Sequence, residues 1–442
     1  MGNKDEEEFL SEHTIAMRKA LAACQSLLAE QQGDEVSSPQ FSLHPNSEAA
    51  QCALLSKLRY NRQETVEKWY ENIFGMETIR VQDLTDEKTS DFRRRFHQLN
   101  QPCRLSGMNE SCFARVHETW ANPERFRQWI RGIMGTSEIC LPVRRTAGSS
   151  TVGLDAGGRA TECTTVHMNL DEWIVYLDNI QGNDGIDKDY LKDWHFEAWL
   201  EDHAPEAVHG NSLYQLPHVF EYDLLNPFLR AFTNGDYRFV YWGPTGSKTD
   251  WHSDVLHSFS WSYNVFGCKQ WIFCVPGSKR QITVLQQAGE CIFVPATWKH
   301  QVINLEETLS INRNWITAAN VDLCWDCLVS EIKSIEGELA AWEGTGASYD
   351  WEARESMLRG CAGLDVTAFY LMILYRVGII REQAKTSHLD DDTMCEVARL
   401  YETLRILHND ESLHLEERIA GTLSDGVAAR QSILLGKQIC EG

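Results

Sequence analysis

The sequence lacks an excess of positive charge. Its 442 residues include 41 lysines and arginines against 64 aspartates and glutamates, which gives a formal net charge of -23. A protein that binds nucleic acid mainly by neutralising phosphates needs clustered basic side chains that displace counterions. We therefore expect no direct nucleic-acid partner. The acidic balance remains compatible with a basic protein or peptide as partner.

Long apolar runs are also missing. The most hydrophobic stretch, AFYLMILYRVGII at 368–380, is interrupted by Arg376 and is too short to cross a bilayer, so it is predicted to be a buried helix. The start of the chain, MGNKDEEEFL, is acidic and lacks the apolar segment of a secretory signal. We expect a soluble protein of the cytoplasm or the nucleus, without a membrane partner.

The 14 cysteines do not cluster as in a small disulfide-rich domain, because they are scattered along the chain from Cys24 to Cys440. Disulfide frameworks are typical of short secreted domains, and nothing in this sequence directs it to an oxidising compartment, so we expect reduced thiols. Zinc needs four ligands, and the C-x-x-C pair Cys324 and Cys327 has no second pair nearby. This pair is interpreted as packed on a helix.

Composition and periodicity divide the chain into four predicted regions. These regions are 1–46, 47–160, 161–320 and 321–442. The first contains a helix over 14–31 between an acidic leader and a polar break, both expected to be mobile. The second is predicted to be helical and to end in a loop over 145–162, which is rich in Gly, Ser and Thr. The fourth returns to helical periodicity.

The third region has the texture of β-strands from about residue 237 onwards. β-Branched and aromatic runs, bounded by Gly, Pro or acidic turns, recur there at regular spacing, as is typical of a sandwich or barrel. The runs are YRFVYWGP, FSWSYNVFG, KQWIFCVPG, ECIFVPA, HQVINL and TLSINRNWI. The sequence therefore predicts a mixed α/β protein with a β core and helical additions at both ends.

A candidate metal site lies among these strands. His252 and Asp254 are two residues apart, so on a strand both side chains would point to the same face. His300 follows a second strand and turn. Two histidines and one carboxylate form the facial triad of non-haem Fe(II) oxygenases, which leaves coordination positions open for a cosubstrate and O₂.

Each of these residues also has a simpler interpretation. With 15 histidines in the chain, one His-x-Asp pair is expected by chance, and His300 alone is compatible with a core histidine bonded to the backbone. Lys269 favours the metal site, because an unpaired ammonium among Trp, Phe and Val would be costly unless an anionic ligand such as a keto-dicarboxylate paired with it. The alternative for Lys269 is a surface position on an edge strand.

These segments resemble the Jumonji-C (JmjC) branch of the cupin-fold 2-oxoglutarate oxygenases, and most closely the JmjC-domain-containing protein 4 group. The resemblance is carried by DYLKDWHF, DYRFVYWGP, the WHSD turn, SFSWSYNVFGCKQW and GECIFVPATWKHQVINLEETLSINRNW. It covers 189–320 well and extends weakly to about Asp91. It implies a double-stranded β-helix of the cupin or jelly-roll type, with Fe(II), 2-oxoglutarate and O₂ as cofactors.

The resemblance also assigns roles to individual positions. His252, Asp254 and His300 match the iron ligands and form the catalytic centre, and Lys269 matches the base that pairs with the far carboxylate of 2-oxoglutarate. Further expected cosubstrate contacts are Thr249, Asn312, Asn314, Tyr190 and Ser262, with Asn264 competing for the place of Ser262. Asn312 departs from the Thr that some relatives carry there. For each of these contacts the alternative is an inward polar residue satisfied by water or backbone.

The resemblance further implies a protein hydroxylase whose target is a lysine of the eukaryotic translation-termination factor that recognises stop codons. Two other functions stay open, namely demethylation of N-methyl-lysine in histones and a non-enzymatic JmjC scaffold. No zinc-finger reader or JmjN-like segment supports the demethylase, and the complete triad with Lys269 speaks against the scaffold. The C-terminal helices are expected to pack on the barrel or to form a homodimer surface.

Overall fold

The computed structural model describes a defined set of residues. They are 10–29, 76–81, 84, 89, 91–135, 139–146, 153–154, 160–161, 163–180, 188–208, 213–343 and 349–441. Most of the predicted acidic leader, the polar break and the first part of the region predicted to be helical over 47–160 lie outside them. The described residues fall into two units. The β unit comprises those within 65–221 and 237–315, and the helical unit those within 1–64, 222–236 and 316–442.

Two largely antiparallel sheets dominate the β unit. Its strands are β1 (Glu77–Arg80), β2 (Cys103–Ser106), β3 (Leu141–Thr146), β4 (Gly153–Leu154), β5 (Ala160–Thr161), β6 (Cys163–Met168), β7 (Tyr190–Trp194), β8 (Arg238–Gly243), β9 (Lys248–His252), β10 (Phe259–Phe266), β11 (Lys269–Cys274), β12 (Gln281–Gln286), β13 (Cys291–Val294), β14 (His300–Asn304) and β15 (Thr308–Trp315). The larger sheet has the order β1-β2-β13-β10-β15-β8-β7-β3-β6, and the smaller has the order β12-β11-β14-β9. Strands β1 and β2 pair in parallel.

Some of the described α-helices accompany the sheets in the β unit, and the others form the helical unit. In chain order the α-helices are α1 (Glu12–Ala29), α2 (Ala114–Trp120), α3 (Pro123–Met134), α4 (Leu170–Ile180), α5 (Phe196–His203), α6 (Leu225–Phe232), α7 (Val321–Glu343), α8 (Trp351–Ala362), α9 (Val366–Ala384), α10 (Asp391–Asn409), α11 (Leu415–Leu423) and α12 (Gly426–Glu441). Helices α2 to α5 belong to the β unit, and the others belong to the helical unit.

The core between the two sheets explains why the aromatic runs form strands. Trp271 and Phe273 alternate along β11, and both pack in one cluster with Val302 of β14. Ile292 and Val294 of β13 bring the larger sheet into the same cluster. Alternation along each strand lets one face bury apolar side chains while the next residues point away from the core. Each of the six predicted runs contains a strand, so the mixed α/β fold is confirmed.

The region predicted to be helical before residue 160 is only partly helical. Helices α2 and α3 form as expected, but β1, β2 and β3 join the larger sheet. Strand β2 pairs with β13, where Leu105 lies opposite Cys291. A strand of four residues contains too few alternating positions to be recognised within a longer region that has helical periodicity. The loop predicted over 145–162 also contains the short β4–β5 pair.

The helical unit contains two helices that were predicted individually and a region predicted to be helical. The helix expected over 14–31 is α1, and the apolar stretch at 368–380 lies within the buried helix α9. The described part of the region after 321 consists of helices α7 to α12 and the turns between them. Asp365 begins α9 because its side chain accepts a hydrogen bond from the backbone N–H of Ala368. Cys324 is buried on α7, and Cys327 follows on the same helix.

Buried charges connect several helices of this unit. His13 of α1 bonds to Asp365 at 2.6 Å, and Arg359 of α8 bonds to the same carboxylate at 2.7 Å. Arg418 of α11 pairs with Glu355 of α8. Because burying a charge is favourable only when it is paired, these contacts specify which helices pack together.

A helix that spans a membrane must be long and mostly apolar. No single helix in the described part of the chain meets that requirement. A pair bent by 74°, α8 together with α9, meets it by length and composition only.

Candidate metal centre

Three ligand residues predicted from the sequence converge at one end of the smaller sheet. His252 ends β9 and His300 begins β14, and the two lie directly opposite each other in the register of these paired strands. Asp254 follows β9 in extended backbone, so the strand itself stops before it. One potential ligand atom from each side chain lies within 4.8 Å of the other two.

Backbone carbonyls orient both imidazole rings. Nδ1 of His252 bonds to the carbonyl oxygen of Asp250 at 2.8 Å, and Nδ1 of His300 bonds to that of Trp298 at 3.0 Å. A carbonyl oxygen only accepts, so each Nδ1 carries the proton and each Nε2 keeps its lone pair for a metal. The carboxylate is held similarly, since Ser260 donates to Oδ2 of Asp254 at 2.7 Å.

The electrostatics favour the neutral imidazole that a metal requires. Burial, followed by the neighbouring His300, lowers the pKa of His252 to about 4, although Asp254 acts in the opposite direction. The ring centroids of the two histidines are 4.2 Å apart, so two positive charges would repel strongly at this distance. Neutral nitrogen donors beside one carboxylate match the donor set of a divalent transition metal.

A strained turn follows the third ligand. Leu256 and His257 have φ values of 58° and 48°, which place two consecutive residues other than glycine in the left-handed region. Leu256 is buried, so packing holds this conformation. The turn returns the chain into β10, where Ser260 reaches Asp254. Strain of this kind persists at functional sites when the surroundings determine the backbone fully.

An open cleft of about 450 Å³, including its mouth, adjoins the three ligands. The predicted cosubstrate contacts that line it are Tyr190, Thr249, Ser262, Lys269, Asn312 and Asn314. Asn264 is not part of the lining, because its side chain donates to the carbonyl oxygen of Gly267. The geometry therefore brings together every predicted site residue and favours Ser262 over Asn264.

Lys269 occupies the buried part of this cleft. Its side chain is on β11, which lies inside the smaller sheet between β12 and β14, and the residue is 1% exposed. The alternative position on an edge strand is therefore wrong. Its Nζ donates to Oγ of Ser310 at 2.6 Å, and among the described carboxylates none pairs with it. Burial, and then Lys192, lower the pKa of Lys269 to about 7.

Polar side chains around Lys269 are arranged to receive a ligand. Asn312 donates to Oγ of Ser310 at 3.0 Å, and so extends the contact of Lys269. Ser262 is 3% exposed, and its Oγ has no hydrogen-bond partner among the described residues. An unsatisfied buried hydroxyl in a cleft is costly unless a ligand or a water completes it. The residues present thus fit a metal ion together with an anion that reaches Lys269.

Sequence reasoning missed several residues of the cleft. The missed lining residues are Lys192, Tyr241, Ser260, Trp261, Trp271 and Val302. A period of two would have found Ser260, since it lies two residues before Ser262 on the same strand. Tyr241 could be placed in the cleft only from the pairing of β7 with β8, which the sequence alone does not show.

Comparisons with known proteins agree with this geometry. The family profile described as JmjC domain, hydroxylase, matches residues 280–315. The 2-oxoglutarate and iron-dependent oxygenase JMJD4 of Homo sapiens is 33% identical over 258 residues, which cover 49% of this chain and 60% of that protein. The protein of the same name from Danio rerio is 33% identical over 237 residues, which cover 46% of this chain and 54% of that protein.

A plant relative carries a different name. The arginine-specific demethylase JMJ20 of Arabidopsis thaliana is 32% identical over 294 residues, which cover 56% of this chain and 59% of that protein. The matched part of the chain thus spans somewhat more than half the length of these relatives. Together with the two sheets and the triad, these matches confirm the resemblance to the JmjC oxygenases and identify the double-stranded β-helix as the fold of the β unit.

Proposed function

We propose that the protein is an Fe(II)- and 2-oxoglutarate-dependent oxygenase. One observation carries this proposal, namely that His252, Asp254 and His300 share a cleft with a buried lysine that lacks a carboxylate partner among the described residues. The donor set fits iron, and the lysine fits the far carboxylate of 2-oxoglutarate. When bound, iron and 2-oxoglutarate would supply the oxidising power to insert one oxygen atom of O₂ into a C–H bond.

The chain's own residues would prepare the site in three ways. The carbonyls of Asp250 and Trp298 hold the histidine tautomers, so no rearrangement is needed for metal binding. Lys269, Ser262 and the amide of Asn312 would orient the cosubstrate by charge and hydrogen bonds. Trp271, whose ring centroid is 5.5 Å from that of His300, contributes an apolar wall that limits water.

The finer proposal is protein lysyl hydroxylation, with a translation-termination release factor as substrate. The resemblance to the JmjC-domain-containing protein 4 group supports this substrate, and the net charge of -23 would favour the approach of a cationic target. We place the protein in the cytoplasm, with the nucleus as a second compartment. We further propose a protein partner rather than nucleic acid or membrane, and a homodimer through the C-terminal helices.

Demethylation is the second candidate, and one finding favours it. JMJ20, named an arginine-specific demethylase, is 32% identical to this chain over 294 residues. The histone N-methyl-lysine demethylase expected as an alternative from the sequence would use the same centre. A non-enzymatic scaffold is the third candidate, and the intact triad and Lys269 speak against it.

Product masses distinguish these candidates. Hydroxylation at carbon gives a stable product, whereas hydroxylation of an N-methyl group releases formaldehyde and leaves the smaller amine. The full chain would be incubated with iron, 2-oxoglutarate and either the release-factor domain or methylated histone peptides. We expect the release factor to gain one oxygen atom on an unmethylated lysine. Formaldehyde release with loss of a methylene mass, without oxygen gain on the release factor, would favour demethylation.

A further inference from the structure

A β-bulge brings a second lysine into the cleft. Strands β7 and β8 pair at Leu191 with Trp242 and again at Trp194 with Val240, and the register shifts between these pairs. Two residues of β7, Lys192 and Asp193, therefore oppose the single residue Tyr241 of β8. Such bulges are common beside active sites, where they redirect a side chain.

The backbone at this bulge is unusual. Asp193 has a φ of 55°, in the left-handed region that residues with a side chain rarely occupy. Its Oδ1 accepts a hydrogen bond from the hydroxyl of Tyr241 at 3.0 Å, and its Oδ2 accepts one from Arg144 at 3.1 Å. Against the effect of burial, Lys192 and then Arg144 hold the pKa of Asp193 below its usual value. The bulge is thus fixed by the contacts of its aspartate.

The bulge places two ammonium groups near the same aromatic ring. Nζ of Lys192 lies 5.3 Å from the ring centroid of Tyr241, and Nζ of Lys269 lies 6.0 Å from it. Both lysines line the cleft, where Asp254 is the one carboxylate among the described lining residues. Lys192 contributes to the lowered pKa of Lys269, which is the signature of mutual repulsion between the two cations. An anion in the cleft would relieve that repulsion.

We infer that Lys192 is a specificity-determining residue that makes the cleft selective for a doubly charged 2-oxo acid over a singly charged one. The inference rests on the proposed function, because it assumes that the cleft holds a 2-oxo dicarboxylate beside the metal. Lys269 alone would pair with one carboxylate. A second ammonium that faces the same ring adds attraction for the total charge of the ligand, and such attraction weakens with added salt.

Binding to the full chain loaded with Mn²⁺ tests this inference without turnover. Calorimetry would compare 2-oxoglutarate, a dianion, with 2-oxopentanoate, a monoanion of the same chain length. We expect Lys192→Met to weaken 2-oxoglutarate binding by about tenfold while 2-oxopentanoate changes by less than about threefold. Lys192→Arg keeps the charge and should restore most of the affinity. The salt dependence of 2-oxoglutarate binding should be shallower in Lys192→Met than in the unmodified chain.

Controls separate the failure of this inference from failure of the proposed function. Lys269→Met should weaken 2-oxoglutarate binding whether or not Lys192 contributes, and circular dichroism would verify that each variant is folded. If folded Lys192→Met binds 2-oxoglutarate as tightly as the unmodified chain does, while Lys269→Met binds it more weakly, the role of Lys192 is overturned and the proposed function is not. If the unmodified chain binds neither acid, the proposed function fails, and this inference fails with it.

Discussion

At the scale of residues, the most informative side chain is Lys269. A nearly fully buried ammonium with one serine hydroxyl as its polar contact is unfavourable in a protein core, because desolvation opposes its charge. A carboxylate that binds beside Lys269 would offset this cost, because it would pair with the ammonium. Binding of an anion is therefore more favourable in this cleft than it would be in a cleft lined only by uncharged side chains.

The first prediction concerns this pairing. Lys269→Met should weaken 2-oxoglutarate binding to the Mn²⁺-loaded chain by roughly 3–5 kcal/mol, since it leaves a carboxylate unpaired in a desolvated pocket. Titration calorimetry would measure the loss. The matched control is Lys279→Met, because Lys279 is exposed in the turn between β11 and β12. Unchanged affinity in Lys269→Met would show that another residue binds the far carboxylate.

The second prediction is a dependence on pH. Burial, followed by Lys192, lowers the pKa of Lys269 from 10.5 to about 7. Below about pH 7 Lys269 is already protonated when the dianion binds. Above that pH Lys269 must take up a proton on binding, so the affinity for the dianion should fall as the pH rises. Calorimetry in two buffers should show that binding takes up about one proton at about pH 8.5 and almost none at about pH 6. No uptake at the higher pH would contradict this account.

Individual residues also show how far sequence reasoning reaches. The triad and Lys269 were identifiable because their chemistry is conspicuous among strand-forming residues. The choice between Ser262 and Asn264 was not, since it depends on an irregularity in the pairing of β10 with β15 near Asn264. Lys192 was missed for a similar reason, because a bulge in β7 decides where it lies.

At the scale of elements, the short turn that connects β10 of the larger sheet to β11 of the smaller sheet positions Lys269. Gly267 begins this turn with a φ of 81°, and a Cβ there would meet the backbone oxygen of Glu307 and the Cα of Thr308. Gly277, in the turn between β11 and β12, has a φ of 70° but nothing within 4 Å of an added Cβ. The two turns therefore differ in available space while sharing a left-handed backbone.

The third prediction uses this contrast. Gly267→Ala should lower the free energy of unfolding by roughly 2–5 kcal/mol, because backbone strain and overpacking add. Gly277→Ala should cost only about 1–2 kcal/mol from backbone strain. Urea denaturation would measure both. Equal losses in the two variants would show that the space around Gly267 does not limit this turn.

The fourth prediction concerns the buried charges of the helical unit. Arg418 contacts Glu355, which is 1% exposed, and Glu336 at 3.1 Å. Arg418→Met should therefore destabilise the protein by roughly 3–5 kcal/mol. Arg430→Met is the matched control, because Arg430 and Glu416 form an exposed pair, and it should cost less than about 1 kcal/mol. Similar midpoints for both variants in thermal unfolding would disprove the structural role of Arg418.

Sequence patterns found some elements and not others for physical reasons. Strands rich in aromatic and β-branched residues were predicted, whereas β9, with the sequence KTDWH, has a polar composition that resembles a loop. Long helices, such as α1, were found within a few residues of their ends. The short strand β2, near the margin of the larger sheet, was missed, because its pairing partner β13 lies far away in the sequence.

At the scale of the whole molecule, the predicted linear order of regions differs from the packing. The helical unit combines α1, α6 and all helices from α7 onwards, although 222–236 lies inside the sequence of the β unit. Local periodicity cannot reveal such an arrangement, because contacts such as that of His13 with Asp365 join residues far apart in the chain. The predicted end of the barrel at residue 320 lies close to the boundary after Trp315.

The candidate site, by contrast, lies entirely within the β unit. Its ligands come from the smaller sheet and the turn after β9, and its anion-binding groups come from both sheets. The helical unit contributes none of the described lining residues. We therefore expect the chemistry to depend on the β unit, and the proposed homodimer through the C-terminal helices to involve other residues than those of the site.

The measurement that tests the central claim most directly is the conversion of 2-oxoglutarate to succinate and CO₂ by the full chain with Fe(II) in air, in the presence of the release-factor domain. We expect conversion that requires iron and is lost in Asp254→Ala, with the far-ultraviolet circular dichroism of that variant unchanged. An Asp254→Ala protein that binds iron normally and retains full conversion would contradict the triad. An unmodified chain that produces no succinate would contradict the proposed oxygenase.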